Sequence, residues 1–293
     1  MTKHLFRVNF INANTSFKEE VEKKSASFKV SDDFLSKHFP VHVFDVSLTD
    51  FCYNIPIYGR DSMVEWFDTL LVKNQLYAYP GFLDYMKNIG YNKHILPSEY
   101  LSEGGQFLFG KNFVLVSSIF KKELFDRLFK DVINTENIHS APFYSNQVQA
   151  HIDMDYQLLE EFGIVYYDER LLTKKDEFRG AATLLERISE QYCCELRKYP
   201  QPSEGIVISK KDVRTVNGKD IYVPNIDDYT HLDYFKKFNG INFIVDNYKI
   251  FTSHIDEKER NYLKMKGADV FIVPTGLISV GAGIRCVYGE FNI

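Results

Sequence analysis

Four short stretches of this sequence hold residue types that do chemistry. A thiol, Cys286, ends the small-residue run Gly281-Ala282-Gly283-Ile284-Arg285-Cys286. A histidine and an acid stand two apart in His151-Ile152-Asp153, a spacing that strand alternation returns to one face. Further carboxylates stand in Arg60-Asp61 and in Glu103-Gly104-Gly105. Each has an ordinary alternative. A free cysteine is among the most often buried residues, and a lone histidine is commonly a hydrogen-bonded core or surface group. Asp61 can pair with Arg60, and an acid before two glycines can belong to a turn. Other candidates carry less. His38-Phe39-Pro40-Val41-His42 lacks a cysteine or carboxylate at ligand spacing to complete a metal site. Cys193-Cys194 reads as two helical positions facing different directions, one of them buried. Glu257-Lys258-Glu259-Arg260 reads as a solvated face, and there is no GxSxG, Walker or zinc signature.

The elements that must position these residues recur along the chain. Near the C-terminus, Gly240 to Val245 and Lys249-Ile250-Phe251 flank the turn-like Asp246-Asn247-Tyr248 and read as a hairpin. Asp256 caps a charged helix to Lys266, Gly267 ends it, and Ala268 to Val273 follows as a buried strand. The same order recurs upstream. Gln106 to Phe109 and Phe113 to Val116 flank Gly110-Lys111-Asn112, with helical spacing from Phe120 to Phe129. A weaker copy runs from Trp66-Phe67 to Val72, through Gln75 to Ala78, to the helix-like Phe82 to Ile89. Another holds Gly163 to Tyr167 and a helix from Ala181 to Leu196, and a further copy spans Gly205 to Ser209, Ile221 to Val223 and a helix near Leu232 to Phe238.

About five mixed units at such spacing predict a ring rather than a doubly wound sheet, and no glycine fingerprint follows the first strand. A ring has a consequence for the chemistry. Residues just before each hairpin occupy equivalent positions, so their side chains converge near the axis although they lie far apart in sequence. Those positions hold Arg60-Asp61, Glu103-Gly104-Gly105, His151-x-Asp153 and Asn239-Gly240, and the loop after the final strand delivers Cys286.

Composition narrows the partners. The 293 residues hold 40 acidic and 35 basic side chains, a formal charge of -5 with no Lys/Arg block, which disfavours nucleic acid and anionic membrane surfaces. No uncharged stretch approaches the roughly 20 residues of a membrane span, and the N-terminus lacks an apolar signal region. The expectation is a soluble, cytoplasmic, single domain over residues 1–293. The four cysteines form neither a disulfide framework nor a CxxC pattern. Twenty-five Phe and 19 Tyr suit strand-rich packing.

In these four motifs and their order, the sequence resembles the pentein superfamily of guanidine-modifying enzymes, which includes arginine and agmatine deiminases, dimethylarginine hydrolases and amidinotransferases. The resemblance implies an α/β fold, a five-unit pseudo-symmetric αβ-propeller, in agreement with the repeat count. It implies Cys286 as nucleophile, His151 as acid and base, Glu103 as the group orienting the imidazole, and Asp61 and Asp153 as carboxylates holding the guanidinium. It implies a small guanidino substrate and no metal or organic cofactor; a homodimer is left open. Arg60, Arg285 and Arg179 are candidates to meet a substrate carboxylate. Three outcomes stay open at this point: hydrolysis to a ureido product, amidino transfer to an amine, and a non-catalytic binding protein of the same fold.

Overall fold

A computed structural model describes residues 2–11, 28–47, 59–66, 68–98, 104–119, 135–142, 151–173, 180–199, 213–216, 219–222, 239–275 and 284–293. Four of its sheets share one plan: an antiparallel hairpin, and a third strand that returns parallel to the hairpin's second strand. They are Met63–Trp66, Thr69–Lys73 and His94–Ser98; Phe107–Phe109, Val114–Ser117 and Ile138–Ala141; Tyr156–Leu159, Ile164–Asp168 and Glu195–Tyr199; and Ile244–Asp246, Lys249–Thr252 and Asp269–Ile272. A parallel return needs a crossover. Helices Phe82–Asn88, Ala181–Tyr192 and Glu257–Met265 supply it in three of the four.

A fifth three-stranded sheet follows the same plan with its strands taken from both ends of the chain. Gly289–Asn292 pairs antiparallel with Lys3–Ile11, and Val41–Ser47 returns parallel to Lys3–Ile11 after helical residues 28–35. This sheet is unit one, and the other four are units two to five in chain order. The count of five stands, but its membership differs from the sequence expectation. Ile221 belongs to a separate two-stranded hairpin, Val213–Val216 with Lys219–Tyr222. The stretches at 205–209 and 232–238 lie outside the described residues.

Five apolar clusters join the sheets in a circle. Phe6, Val8 and Phe44 of unit one meet Leu70 and Val72 of unit two; Val64 of unit two meets Phe107, Val114 and Val116 of unit three. Leu108 and Leu115 of unit three meet Leu158 and Val165 of unit four; Ile164 and Tyr166 of unit four meet Ile250 and Val270 of unit five. Ile244 and Phe251 of unit five meet Leu5 and Tyr288, which closes the circle. Each described crossover helix fills the seam with the preceding unit: Phe28 and Leu35 in the seam of five with one, Phe82 and Met86 in one with two, Leu184 and Ile188 in three with four, Leu263 in four with five. Middle strands are therefore covered on both faces, and Val114–Ser117 and Ile164–Asp168 are buried at every position.

Local corrections follow from the same packing. In unit two the hairpin lies at Met63–Trp66 and Thr69–Lys73, and Asn74–Tyr77 is a helical turn that places Leu76 in the core. The helix from Ala181 ends at Tyr192, because Cys193 turns left-handed (φ 53°) and Leu196 enters a strand. Cys193 and Cys194 thus lie past the helix, the first exposed and the second buried. Glu259 is buried rather than solvated, accepting hydrogen bonds from Tyr166 and Arg197. His42 stacks on His4 and shares a 2.8 Å hydrogen bond with it. Among the described residues, no helix is long and apolar enough to cross a membrane.

Candidate active site

Each unit's first strand is entered through a single helical turn. These are Ile284–Val287 for unit one, Gly59–Ser62 for two, Gly104–Gln106 for three, Ile152–Met154 for four and Asn239–Ile241 for five. Neighbouring turns touch from unit one to unit five, and a hydrogen bond between Cys286 and Asn242 completes the circle. The pre-hairpin positions singled out in the sequence are these turns.

The turns bring Cys286, His151 and Asp153 together. One ligand-type atom from each lies within 4.8 Å of the others, and all three residues are buried. Cys286 Sγ is 3.8 Å from Asp153 Oδ2 and 3.8 Å from Met154 Sδ. Asp153 Oδ1 is buried and has no hydrogen-bond partner among the described residues. Such an acceptor is costly to leave unpaired and suits an N–H donor arriving with a ligand. His151 and Asp153 converge by a route other than the expected strand alternation, since residues 152–154 form a helical turn. A thiol, an imidazole and a carboxylate are also donor types that zinc accepts, so the cluster is chemically competent for an electrophilic carbon or a metal.

The two glycines of the Glu103-Gly104-Gly105 motif make this convergence sterically feasible. A Cβ on Gly105 would sit 2.8 Å from His151 Cγ and 2.9 Å from Asp153 Oδ1. A Cβ on Gly104 would sit 1.9 Å from the Arg60 carbonyl oxygen. Glycine lets the unit-three turn press against both neighbours at once. Glu103 itself lies outside the described residues, as do Arg179 and the side chain of Asp61, whose backbone belongs to the Gly59–Ser62 turn.

The two arginines beside the cluster, Arg60 buried and Arg285 partly buried, are engaged in bonds to the protein. Arg60 Nη2 donates to the Phe107 carbonyl at 2.9 Å, and Arg285 Nε donates to Glu290 Oε1 at 2.7 Å. Burial and the neighbouring Arg285 pull the Arg60 guanidinium down to about 10, against the attraction of Glu290, Asp153 and Cys286. It stays charged at neutral pH. Burial alone would raise the Glu290 carboxyl, but Lys3, Arg285 and Arg60 outweigh it and hold it at about 2. Lys3 Nζ donates to Glu290 Oε2 at 2.7 Å, tying the N-terminal strand to the carboxylate that holds Arg285.

Sequence reasoning passed over Asn242. Its signal was a single amide in the apolar run Ile241-Asn242-Phe243-Ile244-Val245, where burial obliges its polar atoms to find partners.

No family model matches the sequence, and no curated protein matches it. Solved structures do. The N-terminal domain of ArgZ, an arginine dihydrolase from the ornithine-ammonia cycle in cyanobacteria, superposes with a TM-score of 0.59 at 11% identity, covering 98% of this chain and 97% of that domain. AgrE, solved as a ternary complex with ornithine and NAD+, gives 0.58 at 12% identity; 99% of this chain is covered, against 39% of AgrE. DDAH from Pseudomonas aeruginosa, solved with citrulline, gives 0.57 at 9% identity over 99% of this chain and 100% of its own. Five pseudo-equivalent sheets closed into a circle, in a chain that superposes over nearly its whole length on these structures, make its fold the five-unit pentein propeller.

Proposed function

We propose that the protein is a cysteine-dependent hydrolase of a small guanidino compound. One observation carries the reading: a buried thiol, imidazole and carboxylate from two different units meet within 4.8 Å, and a carboxylate oxygen among them lacks a partner among the described residues. The fold neighbours support it, since ArgZ is an arginine dihydrolase and DDAH holds citrulline, a ureido compound.

A guanidinium is planar, charged and resonance-stabilised, so attack on its carbon needs the cation held rigidly with its charge matched. Asp153 is assigned to that task together with Asp61, through charge-assisted N–H bonds. The Cys286 thiolate attacks the guanidino carbon and forms a C–S bond. His151 gives its proton to the departing nitrogen as the C–N bond breaks, releasing ammonia or an amine and leaving an S-amidino-cysteine. His151 then takes a proton from water, whose oxygen attacks the same carbon. The C–S bond breaks, the thiolate returns and a ureido product leaves. Glu103 is assigned to orienting the imidazole. Arg60 and Arg285, held by the Phe107 carbonyl and by Glu290, are assigned to supporting the site and its charge rather than to meeting a substrate carboxylate.

The test is incubation with arginine, agmatine, methylated arginines and guanidinoacetate, with and without glycine, ornithine or lysine, followed by assay of ureido product and ammonia. Ureido product without an acceptor is the predicted result. Product formed only with an acceptor makes the protein an amidinotransferase with the same nucleophile. No product in any arm returns the chain to a binding role.

A further inference from the structure

One buried amide outside the thiol, imidazole and carboxylate set bonds to the backbone of two of its members. Asn242 follows the Asn239–Ile241 turn of unit five and is fully buried. Its Oδ1 accepts the Cys286 backbone N–H at 3.0 Å, and its Nδ2 donates to the Asp153 carbonyl at 3.1 Å. The Cys286 N–H belongs to a one-turn helix, whose early N–H groups have no partner within the helix. A side-chain amide carries its donor and acceptor in one rigid plane, so both backbones hang from a single group. Asn242 is itself well anchored. Thr252 Oγ1 donates to the Gly240 carbonyl at 2.8 Å, and a Cβ on Gly240 would lie 2.4 Å from the Tyr199 hydroxyl, so the turn before Asn242 is tightly enclosed.

We infer that Asn242 is a positioning residue, a strut from unit five that sets the separation between the Cys286 nucleophile and the Asp153 carboxylate. The inference rests on the hydrolase reading above. Around the circle, unit one supplies the thiol, unit four the imidazole and the acid, and unit five the amide that spaces them. The 3.8 Å between Cys286 Sγ and Asp153 Oδ2 follows from two backbones fixed to the same side chain.

Two variants separate spacing from packing. Asn242→Ala removes both bonds. Asn242→Asp keeps the shape and the acceptor, loses the donor when ionised and regains one when protonated. Each is measured for kcat and KM, and for the pH dependence of Cys286 alkylation by iodoacetamide, read on the Cys286 peptide by mass spectrometry. Asn242→Ala is expected to lower kcat about 100-fold with KM within about threefold, the size of effect that small misplacements produce. The ratio of Asn242→Asp to wild-type rate is expected to rise as pH is lowered. A kcat within about twofold of wild type in both folded variants, with unchanged alkylation profiles, overturns the inference.

The alkylation arm needs no substrate. A shifted profile without guanidino turnover in any of the proteins keeps the strut and removes the hydrolase; turnover with unshifted profiles and rates does the reverse. If neither variant folds, wild-type hydrogen exchange decides: a Cys286 amide as protected as the core strands supports the strut, and rapid exchange contradicts it.

Discussion

At the scale of residues, Asp153 is central: a fully buried acid with one oxygen unpartnered among the described residues. A charge-assisted bond to a guanidinium is worth about 1.5–3 kcal/mol, or roughly 10- to 100-fold in binding. Asp153→Asn removes the charge and little volume, so kcat/KM for the guanidino substrate falls by about that factor, mainly through KM; steady-state kinetics across the substrate panel check it. An unchanged KM removes Asp153 from substrate capture. His151 and Asp153 were legible in the sequence because they precede a hairpin and the hairpins repeat, and Cys286 because a small-residue loop after the final strand delivers it. Asn242 was not, because an amide in an apolar run reveals that it needs partners without revealing which ones. The identity of its partners depends on units one and four, which no local pattern near residue 242 encodes.

At the scale of elements, the one-turn helices at the strand entrances do the positioning, and their glycines differ in what they press against. A Cβ on Gly105 meets side-chain atoms of His151 and Asp153, whereas a Cβ on Gly104 meets the Arg60 backbone. Gly105→Ala therefore displaces the imidazole and lowers kcat by about 100-fold while the protein stays folded. Gly104→Ala forces backbone apart and lowers the melting temperature far more than Gly105→Ala; kinetics and thermal melts on the two variants check the contrast. The Lys3, Glu290 and Arg285 group adds a pH signature. The Glu290 carboxyl is held at about 2, below its unfolded value, so its stabilisation is present above about pH 4.5 and is lost as pH falls toward 2. Wild type is predicted to lose up to about 3 kcal/mol more than Glu290→Gln over that window, measured by urea unfolding at several pH values. Equal pH dependence in the two proteins contradicts this. The turns themselves were missed as elements, since three or four residues are too few to show a helical period, and His151-x-Asp153 has the spacing of a strand.

At the scale of the whole molecule, five seams hold five sheets in a circle, and the seam between units one and two includes Phe291 from the last strand. Glu65 of unit two accepts bonds from both the backbone and the side chain of Asn292, locking that strand in place. Phe291→Ala leaves a cavity against Tyr91 and His4 and is predicted to cost about 3–5 kcal/mol, read as a lowered unfolding midpoint; a change below about 1 kcal/mol contradicts this closure. Among the described residues, aromatic side chains fill these seams, as in the edge-to-face trio Tyr166, Tyr199 and Phe243 between units four and five. The circle's closure was not legible, because Lys3–Ile11 and Gly289–Asn292 pair across the whole chain with no local hairpin to announce them. What the circle accomplishes is convergence: it places Cys286 beside His151 and Asp153 from the far end of the sequence. The direct test is mass spectrometry of acid-quenched turnover, with wild type and Cys286→Ser side by side. An amidino adduct is expected on the Cys286 peptide alone, absent in a folded Cys286→Ser protein that no longer turns over; a normal rate from Cys286→Ser would overturn the mechanism.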